Sequence, residues 1–85
     1  MPSKTVTVGS AVGLHARPAA VIAAAAGEID ADVEIALGDG DPVDASSSLM
    51  IMTLGAAKGD EVTVQSEDEA AVEKIAALVE QDLDA

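Results

Sequence analysis

The sequence has no Phe, Tyr or Trp and no cysteine among its 85 residues. Without aromatic rings, there is no platform on which the bases of a single-stranded nucleic acid could stack. The absence of cysteine excludes disulfides, thiolate metal sites and thiol nucleophiles. A core must therefore be assembled from aliphatic side chains and methionine, the hydrophobic residues that make up 49% of the chain.

Positive charge is also scarce, because 4 Lys and Arg residues stand against 16 Asp and Glu residues, for a formal net charge of -12. Binding to nucleic-acid phosphates or to anionic membranes needs clustered Lys and Arg, so both partners are disfavoured. The acidic residues alternate with aliphatic ones over positions 28 to 84, which favours a folded domain over a disordered acidic tail. Because salt screens such self-repulsion, we expect a protein adapted to a salt-rich cytoplasm, as in a halophile.

Long apolar runs are missing as well, and none approaches the ~20 residues that a membrane helix needs. Residues 1–4 contain no apolar core of a secretory signal, so a cytoplasmic location is expected. The length predicts a single domain over residues 1–85, and we expect a monomer. The lone histidine has no companion metal ligands, and the acidic cluster at residues 39, 41 and 44 lacks the later Glu of a calcium loop, so neither a metal nor a cofactor is expected.

Hydrophobic alternation predicts strands at residues 4–8, 32–37 and 61–65, with a short returning strand at 43–44. Pro18 is tolerated only in a first helical turn, so an Ala-rich helix should begin near His15 and end at Gly27. Three serines at 46–48 precede a short second helix. A last helix follows a capping box formed by Ser66 and Glu69.

The resulting order is β-α-β-β-α-β-α, and each clear strand has one apolar and one polar face. This pattern predicts an α+β fold in which a four-stranded antiparallel sheet carries helices on one face and water on the other. The first helix is apolar nearly all round, so part of it should stay exposed as a surface for a partner.

Chemistry concentrates at the start of that helix, where His15 and Arg17 are the only histidine and the only arginine. Neutral imidazole is a nucleophile near physiological pH. A helix N-terminus favours a bound or covalent phosphate, and a guanidinium fork suits phosphate oxygens. The segment therefore has what a phosphohistidine needs, although a surface or capping histidine remains the alternative on these residues alone.

Residues 13–20 read Gly-Leu-His-Ala-Arg-Pro-Ala-Ala, and residues 52–60 read Met-Thr-Leu-Gly-Ala-Ala-Lys-Gly-Asp. Both segments resemble HPr, the histidine-containing phosphocarrier family of the phosphoenolpyruvate-dependent sugar phosphotransferase system. The resemblance spans the whole chain. It implies an open-faced β-sandwich with three helices on one side of a four-stranded antiparallel sheet.

The resemblance also implies roles for the residues around His15. His15 would take a phosphoryl group on Nδ1 from phosphorylated enzyme I and pass it to the EIIA domain of a sugar permease. Arg17 would steady the phosphate, assisted by helix-start N–H groups at Ala16 and Arg17. The chain would be a group carrier and not a turnover enzyme.

Further family features map onto the second helix. The regulatory serine of the family falls on Ser47, but Ser46 stands where Lys or Arg is usual and Ser48 where a large aliphatic residue is usual. Ser47 could thus be only an N-cap. The partner-docking positions match Ala20, Leu49 and Met52. No lysine lies between Arg17 and Lys58, so recognition should depend on apolar contact more than on charge.

Other functions remain open at this point. A carrier for a dihydroxyacetone kinase subunit or for a regulatory phosphotransferase chain would use His15 in the same way. A non-catalytic regulatory module is a different class of function, and the family resemblance counts against it because purely regulatory HPr-like proteins lack the active histidine. A hydrolase has no supporting arrangement of residues.

Overall fold

Seven elements follow one another in the predicted order β-α-β-β-α-β-α in the computed structural model, which describes residues 2–81. The strands and helices, in chain order, are β1 (Ser3–Thr7), α1 (Ala16–Glu28), β2 (Val33–Leu37), β3 (Val43–Asp44), α2 (Ser48–Thr53), β4 (Glu61–Ser66) and α3 (Glu69–Glu80). The longest helix, α1, has 13 residues. Over the described part of the chain, no helix combines the length and hydropathy that crossing a membrane requires.

The sheet has the strand order β1-β4-β2-β3, and every neighbouring pair is antiparallel. Because side chains alternate along a strand, Val62, Val64 and Ile35 lie on one face of the sheet, where they are fully buried. On the other face, Thr5 and Thr63 are hydrogen-bonded at 2.9 Å between their hydroxyls. The α+β open-faced sandwich, with three helices on one side of a four-stranded antiparallel sheet, is therefore confirmed.

The core takes one isoleucine from each helix. Ile22 of α1, Ile51 of α2 and Ile75 of α3 are fully buried, and they face the apolar side of the sheet. Burying each such side chain contributes roughly 1.5–3 kcal/mol, so small aliphatic residues can replace the absent aromatics in a domain of this size. α1 also packs against α2, so residues of these two helices lie close together.

The N-terminus of α3 differs from the sequence prediction. Ser66 is not its cap: it pairs with Val33 as the last residue of β4, is almost completely buried and accepts a hydrogen bond from the N–H of Asp68 at 3.2 Å. Asp68 caps the helix, because its carboxylate accepts from the N–H of Ala70 at 3.0 Å. The capping-box prediction was wrong, since strand pairing with β2 holds the serine in the sheet.

The C-terminus of α1 is a smaller correction. The helix continues through Gly27 to Glu28, and the N–H of Ile29 closes it on the carbonyl of Ala26 at 3.2 Å. Gly27 has no left-handed conformation and lies in open space. The glycine therefore does not end the helix, and its position demands no special backbone freedom.

Candidate functional site

His15 is the N-cap of α1 and is exposed to solvent. Its backbone is extended, with φ -85° and ψ -162°, and its carbonyl accepts the first helical hydrogen bond from Ala19 at 2.9 Å. No side chain among residues 2–81 caps this helix end. The first-turn N–H groups of Ala16 and Arg17 have no helical acceptor, and Pro18 has no N–H at all. Backbone donors beside the imidazole thus remain available to an anion.

The loop before His15 is fixed by one glycine and one buried leucine. Gly13 adopts φ +75°, a left-handed conformation that favours glycine, and its N–H donates to the carbonyl of Ser10 at 2.9 Å. Leu14 is buried, and its N–H donates to the carbonyl of Ala56 at 2.9 Å. The loop before His15 is therefore held by the Gly13–Ser10 hydrogen bond within it and by the Leu14–Ala56 hydrogen bond to the loop after α2.

Arg17 occupies the second helical position and is exposed. Within residues 2–81, the single ion pair joins Lys4 to Glu73 at 3.1 Å, so the guanidinium of Arg17 is not engaged by a carboxylate of the described chain. That is notable in a chain with 16 acidic residues. The guanidinium and the first-turn N–H groups are both accessible next to His15.

The three residues matched to a docking surface are all exposed. Ala20 lies one turn along α1, and Leu49 and Met52 lie on α2 with exposed fractions of 68% and 37%. α1 packs against α2, and the hydrogen bond from Leu14 to Ala56 holds the loop before His15 against the loop after α2. The three residues therefore lie on elements adjacent to His15. The exposed strip predicted on α1 is confirmed by Ala20 and Val21.

Sequence reasoning missed two large apolar residues of this region. Met50 is 41% exposed on α2, and Val12 is 52% exposed in the loop before Gly13. The position of Met50 beside Leu49 could have suggested it, because Ile51 alone faces the core within this run. Nothing in the local pattern distinguishes Val12 from a core residue.

Ser47 is the N-cap of α2, as the sequence predicts. Its hydroxyl accepts from the N–H of Met50 at 3.2 Å, and its carbonyl accepts from the N–H of Ile51 at 3.0 Å. The neighbouring Ser46 donates from its hydroxyl and its N–H to one carboxylate oxygen of Asp44, at 2.7 and 2.9 Å. These two hydrogen bonds lower the pKa of Asp44 below its usual value of 3.8, and the bond from the hydroxyl has the larger effect.

A depression lies near the start of β2. It is lined mostly by acidic and polar residues: Asp30, Ala31, Asp32, Glu34, Gln65 and Glu67. In the part of the molecule that the structure describes, no group of three or more His, Asp and Glu side chains is arranged to hold a metal ion. His15 is exposed beside exposed neighbours on α1, so its imidazole is accessible to another protein.

Fold and site together define a class of protein: an open-faced α+β sandwich that presents one histidine, one arginine and a free helix start on an apolar surface. A sequence model of the PTS HPr component phosphorylation site matches residues 2–81. The chain belongs to the HPr family, the phosphocarriers of the phosphotransferase system.

Individual relatives agree with this assignment. The phosphocarrier protein HPr of Streptomyces coelicolor is 44% identical over 87 aligned positions, covering 99% of this chain and 94% of that protein. The HPr-like protein Crh of Bacillus subtilis is 40% identical, covering 98% of this chain and 100% of that protein. The crystal structure of a phosphocarrier protein HPr from Bacillus anthracis superposes with a TM-score of 0.85 at 38% identity, covering 92% of this chain and 95% of that one.

Proposed function

We propose that His15 carries the phosphoryl group, which it accepts from phosphorylated enzyme I and passes to an EIIA domain of a sugar permease. The exposed N-cap position of His15 supports the proposal most directly, because an imidazole there lies beside free helix N–H groups and beside Arg17, which forms no ion pair with a carboxylate of residues 2–81. The family membership supports the same assignment.

In the proposed transfer, the lone pair of Nδ1 attacks phosphorus as the bond between phosphorus and the donor breaks. Negative charge on the equatorial oxygens is met by the guanidinium of Arg17 and by the N–H groups of Ala16 and Arg17. The backbone donors need no reorganisation, since the helix holds them in place before the phosphate arrives. Transfer onward to the acceptor is the same step in reverse.

The protein partner supplies the rest of the reaction. The exposed surface of Ala20, Leu49 and Met52 would contact enzyme I and then EIIA, so that one apolar patch serves both donor and acceptor. The chain would act as a single domain in the cytoplasm, as a carrier that is regenerated rather than an enzyme with its own product. Ser47 would be the site of regulatory phosphorylation, and its phosphate oxygens could accept from the N–H of Met50 in place of the hydroxyl.

The test is incubation with phosphoenolpyruvate and purified enzyme I, followed by a search for an acid-labile, base-stable phosphate. We expect wild type to be labelled and His15→Ala to be unlabelled, and label that survives this change would contradict the proposal. Arg17→Ala should slow labelling about 10- to 100-fold, and Arg17→Lys should be intermediate because it keeps charge without the fork.

Labelled protein then distinguishes the acceptors. Presented with an EIIA domain or a dihydroxyacetone kinase subunit, it should lose its phosphate to EIIA. Transfer to the kinase subunit alone would keep His15 as the carrier but replace the acceptor.

The control for the slower labelling of Arg17→Ala is its thermal stability. This variant should be as stable as wild type, because an exposed side chain of this kind contributes less than about 0.5 kcal/mol to the free energy of unfolding.

A further inference from the structure

Carboxylates are absent from two segments, residues 10–27 and residues 45–58. The first segment contains the loop before α1 and almost all of that helix, and the second contains α2 and the loop after it. α1 packs against α2, and the hydrogen bond from Leu14 to Ala56 joins the two loops. The segments thus form one continuous surface around His15, which we call the carboxylate-free face.

Charge is divided sharply between this face and the rest of the molecule. The face contains two of the four basic residues, Arg17 and Lys58, and none of the 16 acidic ones. The carboxylates of Asp44 and Asp60 reach only its edges, where they accept hydrogen bonds from Ser46 and Ala57. The remainder of the chain has all 16 carboxylates and only Lys4 and Lys74, a formal charge of -14 by difference. An acidic partner would therefore be repelled less by this face than by the parts of the molecule that contain the carboxylates.

Lys58 lies in a turn whose backbone is fixed from both sides. The N–H of Asp60 donates to the carbonyl of Ala57 at 3.0 Å, and the carboxylate of Asp60 accepts from the N–H of Ala57 at 2.9 Å. The N–H of Gly59 donates to the carbonyl of Val8 at 3.0 Å, which attaches the turn to the chain just after β1. The base of the Lys58 side chain is therefore held in place beside the loop that precedes His15.

The ammonium group of Lys58 is free to bind an outside anion. Lys58 is exposed, and the one ion pair within residues 2–81 does not involve it. The nearest acidic residue in the sequence is Asp60, whose carboxylate is already used within the turn. Within residues 2–81, the ammonium group of Lys58 is therefore open to a carboxylate of another molecule. Lys74 is also exposed and outside the ion pair, and Lys58 differs from it in lying on the face around His15.

We infer that Lys58 is a specificity-determining residue that binds a carboxylate at the rim of the partner's docking patch. Arg17 serves the phosphoryl group, whereas Lys58 sets the orientation in which an acidic partner approaches the apolar centre around Leu49. The inference rests on the proposed function, because it assigns a further contact to the same docking event. It adds a charged contact to the sequence-based expectation, in which recognition depends on apolar contact more than on charge.

Two lysine substitutions separate position from net charge. Lys58→Gln removes the cation from the carboxylate-free face, and Lys74→Gln removes an equal charge from the exposed side of α3. The measurements are KM and kcat for phosphoryl transfer from enzyme I at 0.1 and 1 M KCl, with calorimetric affinity of the unphosphorylated chain for enzyme I. Circular dichroism at each salt concentration checks that both variants are folded.

For Lys58→Gln, we expect KM and the dissociation constant to rise about three- to five-fold at 0.1 M KCl, with kcat unchanged. Lys74→Gln should match wild type, and the difference should vanish at 1 M KCl because the screening length falls to ~3 Å. Equal weakening by both variants would assign the effect to net charge and overturn the inference. A lower kcat with unchanged KM would place Lys58 on the phosphoryl group and would overturn it too.

Failure of the proposed function has a different signature. If the wild-type chain neither binds enzyme I nor is labelled on His15, the proposed function and the inference are both wrong. If wild type is labelled and Lys58→Gln matches it in KM and affinity at 0.1 M KCl, the inference alone is wrong.

Discussion

The N–H of Leu14 donates to the carbonyl of Ala56 at 2.9 Å, which joins the loop before the histidine to the loop after α2. This one bond links the two halves of the surface around His15. Leu14 is also buried, so the packing of its side chain and the hydrogen bond of its backbone both fix the position of this loop. The orientation of His15 therefore depends on contacts with a distant part of the chain as well as on its own helix.

Gly13→Ala should disturb this junction more than any neighbouring change. A Cβ at Gly13 would overlap the carbonyl oxygen of Ala56 and lie 2.9 Å from the Cα of Ala57, and the φ of +75° is itself unfavourable for alanine. We expect a loss of about 1–3 kcal/mol in the free energy of unfolding. Urea denaturation measures that loss, and labelling by enzyme I should fall with it.

The matched control is Gly27→Ala, which makes the same chemical change in open space within α1. Helix propensity predicts a gain of up to about 1 kcal/mol at this position. Opposite signs for the two variants would support the close approach at Gly13. A similar loss in both would mean that the loop around Gly13 is not held against Ala56 in this way.

Sequence reasoning reached the element order because strand alternation and the position of Pro18 are local signals. The period of two in β4 and β2 identified the buried faces, and Pro18 restricted the start of α1 to within a residue or two of His15. It failed at Ser66, where pairing with Val33 from a distant strand outweighs a good local capping pattern.

The candidate site also has some features that local sequence signals predict and others that depend on long-range packing. His15 and Arg17 could be found from the sequence because both lie in one helical turn. The anchor of Leu14 on Ala56 and the exposure of Val12 could not, since each depends on how two distant loops meet. Leu49 is exposed because Ile51, on the same helix, is the residue that faces the core. Which of the two residues is buried depends on how α2 packs.

Leu49→Ala should weaken partner binding without weakening the fold. Leu49 is 68% exposed, so we expect its truncation to change the free energy of unfolding by less than about 0.5 kcal/mol. Loss of a central apolar contact should raise the dissociation constant for enzyme I about ten-fold. Calorimetric titration measures the binding, and thermal denaturation measures the fold.

The comparison within the same helix is Ile51→Ala. Ile51 is fully buried, and its truncation should cost about 2–5 kcal/mol of unfolding free energy. A Leu49→Ala variant that lost stability to the same degree would place Leu49 in the core and remove it from the docking surface.

Asp44 should titrate at a lower pH than an isolated aspartate, because Ser46 donates two hydrogen bonds to its ionised form. The stabilising contribution of a carboxylate with a lowered pKa is present above its unfolded pKa and is lost as pH falls through the folded pKa. Ser46→Ala removes the hydroxyl donor, so the pKa of Asp44 should rise toward 3.8. An NMR titration of the Asp44 carboxyl carbon measures the shift.

Ser48→Ala is the control for that titration, since Ser48 makes no hydrogen bond to Asp44 in the structure. It should leave the pKa of Asp44 unchanged. Because Asp44 is exposed, neither variant should change the unfolding free energy at neutral pH by more than about 0.5 kcal/mol. A pKa that stayed low in Ser46→Ala would assign the shift to another donor.

Salt should stabilise the fold. None of the carboxylates in residues 2–81 is buried, and one ion pair, Lys4 with Glu73, offsets their repulsion there. Raising KCl from 0.1 to 1 M shortens the screening length from ~10 to ~3 Å, so we expect the free energy of unfolding to rise on the order of 1–2 kcal/mol. Urea denaturation at each KCl concentration measures this slope.

A charge-reduced variant separates screening from salting-out, which strengthens apolar burial in any protein. Asp39 and Asp41 are both exposed within the turn between β2 and β3, so Asp39→Asn with Asp41→Asn removes two charges without removing a core contact. The double variant should be more stable at 0.1 M KCl and should show a smaller slope with salt. Equal slopes in the two proteins would mean that repulsion among the carboxylates does not limit stability, and the proposed adaptation to a salt-rich cytoplasm would lose its physical basis.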